Sequence, residues 1–154
     1  MDVTILPASP ADAGELLTVQ RAAYLVEGER YNSFRIPPLT ETLAEIRAAI
    51  SGDDTVLVAR AGHRLIGSVR ARICAGTGHI GRLAVTPDLQ GRGVGRQLLA
   101  AIEQALTGRV TRFELFTGAG SDDNLRLYRN VGYTDIGVRP SGSGPGLAYL
   151  EKIA

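Results

Sequence analysis

Residues 80–106, IGRLAVTPDLQGRGVGRQLLAAIEQAL, confine this chain more narrowly than any other part of it. Residues 80–85 form a short apolar run with β-branched residues at both ends, which reads as a strand. Thr86-Pro87-Asp88 stops it, because proline cannot donate to a ladder and Pro-Asp suits a turn. Gln90-Gly91-Arg92-Gly93-Val94-Gly95-Arg96 follows as a glycine-rich loop. From Val94 the apolar residues fall at Leu98, Leu99, Ile102 and Leu106, which is helical spacing. Gly108 then stands where a helix C-cap glycine belongs.

The loop has a definite chemistry. Glycines let backbone N–H groups come close to a ligand and permit positive φ. The start of the next helix adds unpaired N–H donors and a partial positive charge. Arg92 and Arg96 add forked cationic donors. Together these describe a pocket for a pyrophosphate; a glycine-rich connection without a ligand is the competing reading. Both common phosphate motifs fail. A nucleoside-triphosphate loop ends Gly-Lys-Ser/Thr, whereas Gly95 is followed by Arg96-Gln97. A dinucleotide loop is G-x-G-x-x-G, whereas Gly91, Gly93 and Gly95 alternate.

A length of 154 residues predicts one domain, spanning 1–154. Net charge is +1, so no overall field draws the chain to nucleic acid or to an acidic membrane, and neither partner is expected. Cys74 is the only cysteine, which excludes an intrachain disulfide. With only His63 and His79 as histidines, no metal centre is expected. Residues 1–18 lack a basic, apolar leader pattern, and no apolar run reaches membrane-spanning length, so a cytoplasmic location is expected.

The remaining elements follow from periodicity and breakers. Residues 3–6 read as a strand and 11–27 as a helix opened by Ser9-Pro10. Residues 28–39 read as an irregular loop, rich in aromatic and charged side chains, that is either a binding wall or a solvated connection. A second helix covers 40–50, capped by Thr40-Glu41-Thr42. Strands 54–61 and 64–73 form a hairpin about Gly62-His63, and Gly76-Thr77-Gly78 turns into a central strand, 79–85. After the central helix come a strand over 109–117, a helix capped by Ser121-Asp122-Asp123 and ended by Gly132, and a strand over 133–138. A Ser/Gly/Pro turn over 140–146 leads to a last strand over 147–153. The fold class is α/β (α+β), in the order β-α-α-β-β-β-α-β-α-β-β.

Gln90, Gly93 and Gly95, with the Leu83-Ala84-Val85-Thr86-Pro87 lead-in, resemble the acetyl-CoA loop of the GNAT family of N-acetyltransferases. Residues 124–133, NLRLYRNVGY, resemble that family's Leu-Tyr-x-x-x-Gly-Phe signature. The resemblance implies a mostly antiparallel sheet flanked by helices, with acetyl-CoA as cofactor and an amine as acceptor. It places cofactor contacts at Leu83, Ala84, Val85, Gln90, Gly91, Arg92, Gly93, Val94, Gly95, Arg96, Ser121, Asn124 and Tyr128. Tyr128 is the candidate acid for the leaving thiolate, with a buried core tyrosine as its alternative. His79 stands where many relatives carry a glutamate base, and a histidine of pKa near ~6.5 suits proton acceptance at neutral pH; a hydrogen-bonded or exposed strand-end histidine is the competing reading. Glu27 and Glu29 are alternative proton acceptors or amine-recognition groups, with solvated acids as the competing reading, and Glu27 and Tyr31 are candidate acceptor contacts. The implied reaction is direct attack of the amine on acetyl-CoA in a ternary complex. The rival reading is an acyl-CoA-binding or sensing domain without turnover. Small-molecule amine, antibiotic, polyamine and protein N-terminus all stay open as acceptors, and a homodimer is among the open oligomeric states.

Overall fold

A computed structural model describes residues 1–142 and 144–154; Ser143, inside the 140–146 turn, lies outside the described residues. Seven strands form one sheet: β1 (Thr4–Pro7), β2 (Thr55–Ala61), β3 (Arg64–Cys74), β4 (Thr77–Val85), β5 (Arg112–Gly118), β6 (Thr134–Arg139) and β7 (Leu147–Ile153). Their spatial order is β1-β2-β3-β4-β5-β7-β6. Every pairing is antiparallel except β4 with β5. A parallel pair needs a crossover, and helix α4 (Val94–Leu106) supplies it. The other helices are α1 (Ala13–Tyr31), α2 (Pro37–Thr40), α3 (Leu43–Ser51) and α5 (Asp122–Asn130). None of the helices described is long and apolar enough to cross a membrane.

The two-residue period of a strand sorts side chains between two cores. On β2, Leu57 and Ala59 join a core with α4 residues Leu98, Leu99, Ile102 and Leu106. Val56 and Val58 join the opposite core with Ala13, Leu16 and Val19 of α1 and Ile46 of α3. All five apolar positions expected for α4, counting Val94, are buried.

The expected order of elements holds, with shifted boundaries and one added turn. Helix α1 runs a full turn beyond residue 27 and ends at Asn32, which takes the left-handed conformation at φ 49°. Gly28 does not stop it; a Cβ there would lie 2.9 Å from the Phe34 ring, so glycine lets the following loop fold back onto the helix. Glu29, Arg30 and Tyr31 are therefore helical rather than part of a loop. Pro37 opens the short α2, a position that suits proline's fixed φ. Helix α3 begins at Leu43, because Thr42 is its cap: Thr42 Oγ1 accepts from Glu45 N (3.2 Å) and Glu45 Oε1 from Thr42 N (3.0 Å). The turn expected at 76–78 is tighter, and Thr77 and Gly78 already pair in the sheet.

Glu41, between α2 and α3, fastens this layer to the sheet. Arg70 of β3 donates to both its oxygens (2.8 and 2.9 Å), and Gln20 of α1 adds a bond of 3.0 Å. Arg82 Nε lies 3.4 Å away. Burial pushes the Glu41 carboxyl upward, but the bonds from Arg70 and Gln20 and the charges of Arg70 and Arg82 outweigh it and hold it at about 2. A depressed carboxyl stabilises the fold above its unfolded value near 4.5 and loses that contribution as pH falls toward about 2. Glu41→Gln is expected to lower stability at pH 7 by about 1–3 kcal/mol, the range for an unmatched charged partner. Thermal melts of the two proteins from pH 7 downward check this. The gap in Tm is full above pH 4.5 and closes toward pH 2.

Candidate active site

The central feature of the site is an interruption in the sheet. Strands β4 and β5 pair only at Thr77↔Arg112, Gly78↔Phe113 and His79↔Glu114. From Ile80 onward β4 has no partner on that side among the described residues. The cause lies on its other edge. Arg70↔Gly81 and Ser68↔Ala84 are consecutive matched pairs of β3 and β4, so Val69 faces both Arg82 and Leu83. This is a β-bulge, and Arg82 takes φ 53° to make it. The bulge bends β4 away from β5 and opens a gap beside Leu83, Ala84 and Val85.

The glycine-rich loop stands at the end of that gap. Asp88, in the turn after β4, is held by both terminal nitrogens of Arg64 at 2.8 Å. Gln90 folds back so that its Nε2 donates to the Val85 carbonyl at 3.1 Å. Gly91 and Gly93 adopt φ 77° and 83°, which explains why glycine stands there, and the space where a Cβ would project is open at both. Gly93 is the cap of α4, so the free N–H groups at the helix start border the same open space. Arg92 and Arg96 are exposed, with no carboxylate partner among the described residues. An anionic, pyrophosphate-bearing group fits this cradle of glycines, helix terminus and free guanidinium groups.

Tyr128 of α5 is 7% exposed and packs edge-on to Tyr133 at 6.2 Å in the α4-side core. Among the described residues no hydrogen bond holds its hydroxyl. Burial pushes its pKa far above the ordinary phenol range, and Tyr24 and Glu27 of α1 push the same way. Those two residues sit on the opposite side of the sheet, so Tyr128 senses them across the gap. Tyr24 is likewise raised, to about 12, by burial, with Arg82 opposing and Glu27 assisting.

A clasp closes the end of α1 over the corner between β5 and α5. Ser121 is 0% exposed. Its Oγ lies 2.6 Å from Glu27 Oε2 and 2.7 Å from the Tyr31 hydroxyl, which also accepts from Gly120 N at 3.0 Å. A carboxylate only accepts, so Ser121 donates to Glu27 and Tyr31 donates to Ser121. The chain runs Gly120 N–H, Tyr31 O–H, Ser121 O–H, Glu27. A Cβ on Gly118 would lie 2.2 Å from the Tyr31 oxygen, so only glycine admits the clasp there.

The sequence candidates thus divide. Leu83, Ala84, Val85, the loop 90–96, Tyr128, Glu27 and Tyr31 gather around the gap. Ser121 occupies the helix-cap position, but its side chain neither caps α5 nor reaches the surface, being committed to Glu27 and Tyr31. Asn124 Nδ2 donates to Thr117 Oγ1 at 3.1 Å and ties α5 to β5. His79 belongs to the last paired step before the gap, is 47% exposed, and lies 3.5 Å from Glu114. It faces away from Tyr128, on the α1 side of the sheet. Sequence reasoning missed Tyr24, Arg82 and Glu41; nothing marks a bulge at an arginine, and the others announce themselves only through partners distant in the chain. A cavity of ≈ 940 Å³ beside α3 and β3 is lined by none of the loop or clasp residues.

Residues 20–133 match the model of the acetyltransferase (GNAT) family. An IAA acetyltransferase of Azospirillum brasilense is 28% identical over 155 residues, spanning 98% of this chain and 97% of that protein. The N-alpha-acetyltransferase RimI of Mycobacterium tuberculosis is 35% identical over 91 residues, 53% of this chain and 52% of its own length. Among solved structures, the PaiA N-acetyltransferase of Thermoplasma acidophilum in complex with coenzyme A superposes with a TM-score of 0.82 at 21% identity, and both chains are covered completely. The family match takes in the split strand, the glycine loop and the buried tyrosine together: this chain belongs to the GNAT family of acetyltransferases, with acetyl-CoA as the acetyl donor.

Proposed function

We propose that this protein is an N-acetyltransferase in which the amine enters from the α1 side of the gap and acetyl-CoA from the loop side. The observation that carries this reading is the opening between β4 and β5 past His79, with the glycine loop at its end, Tyr128 in the core on one side of the sheet and Glu27 of the α1 clasp on the other. Acetyl-CoA supplies a thioester: the neutral amine nitrogen bonds its carbonyl carbon and loses its second proton to solvent on the acceptor side, the C–S bond breaks, and coenzyme A leaves as thiolate, which takes a proton from water on release.

The chain's own groups serve the steps around that exchange. An alkylamine near pKa ~10 arrives as ammonium and must lose a proton to attack. Glu27 is the acceptor in preference to His79: its carboxylate is 17% exposed, borders the gap, and is oriented by Ser121. Backbone N–H groups at Leu83 and Ala84, turned by the bulge, stabilise negative charge on the carbonyl oxygen. Val85 offers its backbone to the amide-bearing arm of the cofactor, and the loop 90–96 holds the pyrophosphate. Tyr128 aims its hydroxyl at the sulfur. Its raised pKa keeps it protonated throughout the working range, so it acts as a hydrogen-bond donor to the thiolate. Full proton transfer to a thiolate whose thiol has a pKa of about 8.5 would be uphill. A soluble cosubstrate of this kind argues for the cytoplasm as the place of work.

Two outcomes test this reading. Tyr128→Phe is expected to lower kcat by about 10²–10³-fold, as for loss of one donor to developing charge, with little change in the Kd for acetyl-CoA. Equal kcat across the pH range removes Tyr128 from the reaction. Gly93→Ala places a side chain at φ 83°, a strain of roughly 1–2 kcal/mol. Calorimetry with acetyl-CoA, and ATP and NAD as controls, is expected to show selective binding by the wild type and about tenfold weaker binding by the variant. Unaltered affinity places the anion site elsewhere.

A further inference from the structure

Strand β5 sends Phe113 and Leu115 into the α4-side core. Arg112, Glu114, Phe116 and Gly118 alternate with them on the face that α1 and α3 share. Helix α1 lies chiefly across β3 and β4 and meets β5 at Gly118 through Tyr31. Phe116 is 51% exposed although β5 is an interior strand, paired along its whole length with β7. A large apolar side chain in the middle of a sheet is ordinarily covered. Its cross-strand partner Tyr149 lies 5.3 Å away between ring centroids. Arg139 stacks over Tyr149 at 4.2 Å and takes up one face of that ring. With His79 and Glu114 these residues line a cavity of ≈ 310 Å³.

This platform leads straight to the gap. Two residues along β5 from Phe116, about 7 Å at ~3.4 Å per residue, Gly118 lies under Tyr31, where the clasp to Glu27 begins.

The geometry points to a small arylalkylamine as the acceptor, its ring on Phe116 and its ammonium on the Glu27 carboxylate. This inference rests on the acetyltransferase reading above. Three features select such a molecule. The uncovered surface is aromatic, and aromatic rings prefer aromatic neighbours in offset or edge-on contact. The cavity sits at the low end of the ~300–1,000 Å³ usual for small-ligand sites, which suits one ring and a short arm. The far end is guarded by cations: Glu114 there faces His79 and Arg112, both at 3.5 Å, and Arg139 lies over Tyr149, whereas at the gap end Glu27 accepts from Ser121 at 2.6 Å and pairs with Arg30 at 3.3 Å. A second cation, as in a polyamine, meets Arg112 and Arg139 at the far end.

The test compares 2-phenylethylamine with propylamine, spermidine and a short peptide beginning with phenylalanine, all at saturating acetyl-CoA. The expected result is a KM for phenylethylamine at least tenfold below that of propylamine, with kcat/KM higher than for spermidine or the peptide. Binding of phenylethylamine in the presence of coenzyme A is expected to shift the ring resonances of Phe116 and Tyr149. Phe116→Leu keeps an apolar side chain and removes the ring; KM for phenylethylamine is expected to rise at least fivefold with kcat largely kept. Acetyl-CoA affinity and Tm, measured on the same sample, report that the variant is folded. Propylamine, spermidine or the peptide serving as well as phenylethylamine, or an unchanged KM in Phe116→Leu, overturns the inference. If wild-type protein fails to bind acetyl-CoA, the reading beneath it falls instead.

Discussion

Three residue pairs join β4 to β5, and the divergence after His79 governs the arrangement of everything functional in this chain. A sheet gains by pairing every backbone N–H and C=O, and buried groups left unpaired are costly. Here the edge of β4 past Ile80 gives up that pairing on the β5 side. The bulge at Arg82 enforces the separation, and a non-glycine residue at φ 53° is a strained way to build one. The strain persists because Arg82 is held from outside the strand through Glu41. On the proposed reading, the amide-bearing arm of acetyl-CoA laid along the open edge would restore the missing hydrogen bonds, and the cosubstrate would complete the sheet.

The gap would have no fixed width without α1, which is fastened near its middle and at its end. Gln20 and Arg21 donate to the Glu41 carboxylate and carbonyl, at 3.0 and 3.1 Å, on the β3 side of the opening. Tyr31 and Glu27 bond Ser121 and Gly120 on the β5 side. The helix thereby spans the interruption and ties together the two halves of a sheet that barely touch. Tyr24, between the two fastenings, feels Arg82, Arg70 and Glu27 together.

Local pattern made the loop-and-helix unit legible. Each apolar position of α4 is buried, and the loop glycines that need positive φ are Gly91 and Gly93, because period and glycine placement are local properties. The glycine loop, the lead-in strand and the Leu-Tyr segment carried the family resemblance for the same reason. What escaped depends on partners far apart in the chain. Ser121 carries every mark of a helix cap, yet its hydroxyl serves residues 90 and 94 positions earlier. Gly28 resembles a helix stop, and its real role is to receive Phe34. Phe113, Leu115 and Phe116 read together as apolar content of one strand, but strand alternation cannot send Leu115 and Phe116 to the same side. The second of these is the residue left without cover.

On the proposed reading the two sides of the gap carry different electrostatic tasks, and the roles of Glu27, His79 and Tyr128 divide between them. Proton acceptance from the amine needs a charged group on the α1 side, near where nitrogen meets the carbonyl carbon. Glu27 has that position, and Ser121 fixes its orientation at 2.6 Å. His79 lies one step before the strands part and is turned toward Glu114, so it borders the platform and not the reacting atoms. Tyr128 occupies the dry side. Its burial raises the cost of a phenolate, and the Glu27 carboxylate raises it further. On that reading the Glu27 charge that receives the amine's proton also favours the protonated form of Tyr128, which donates a hydrogen bond to the departing sulfur.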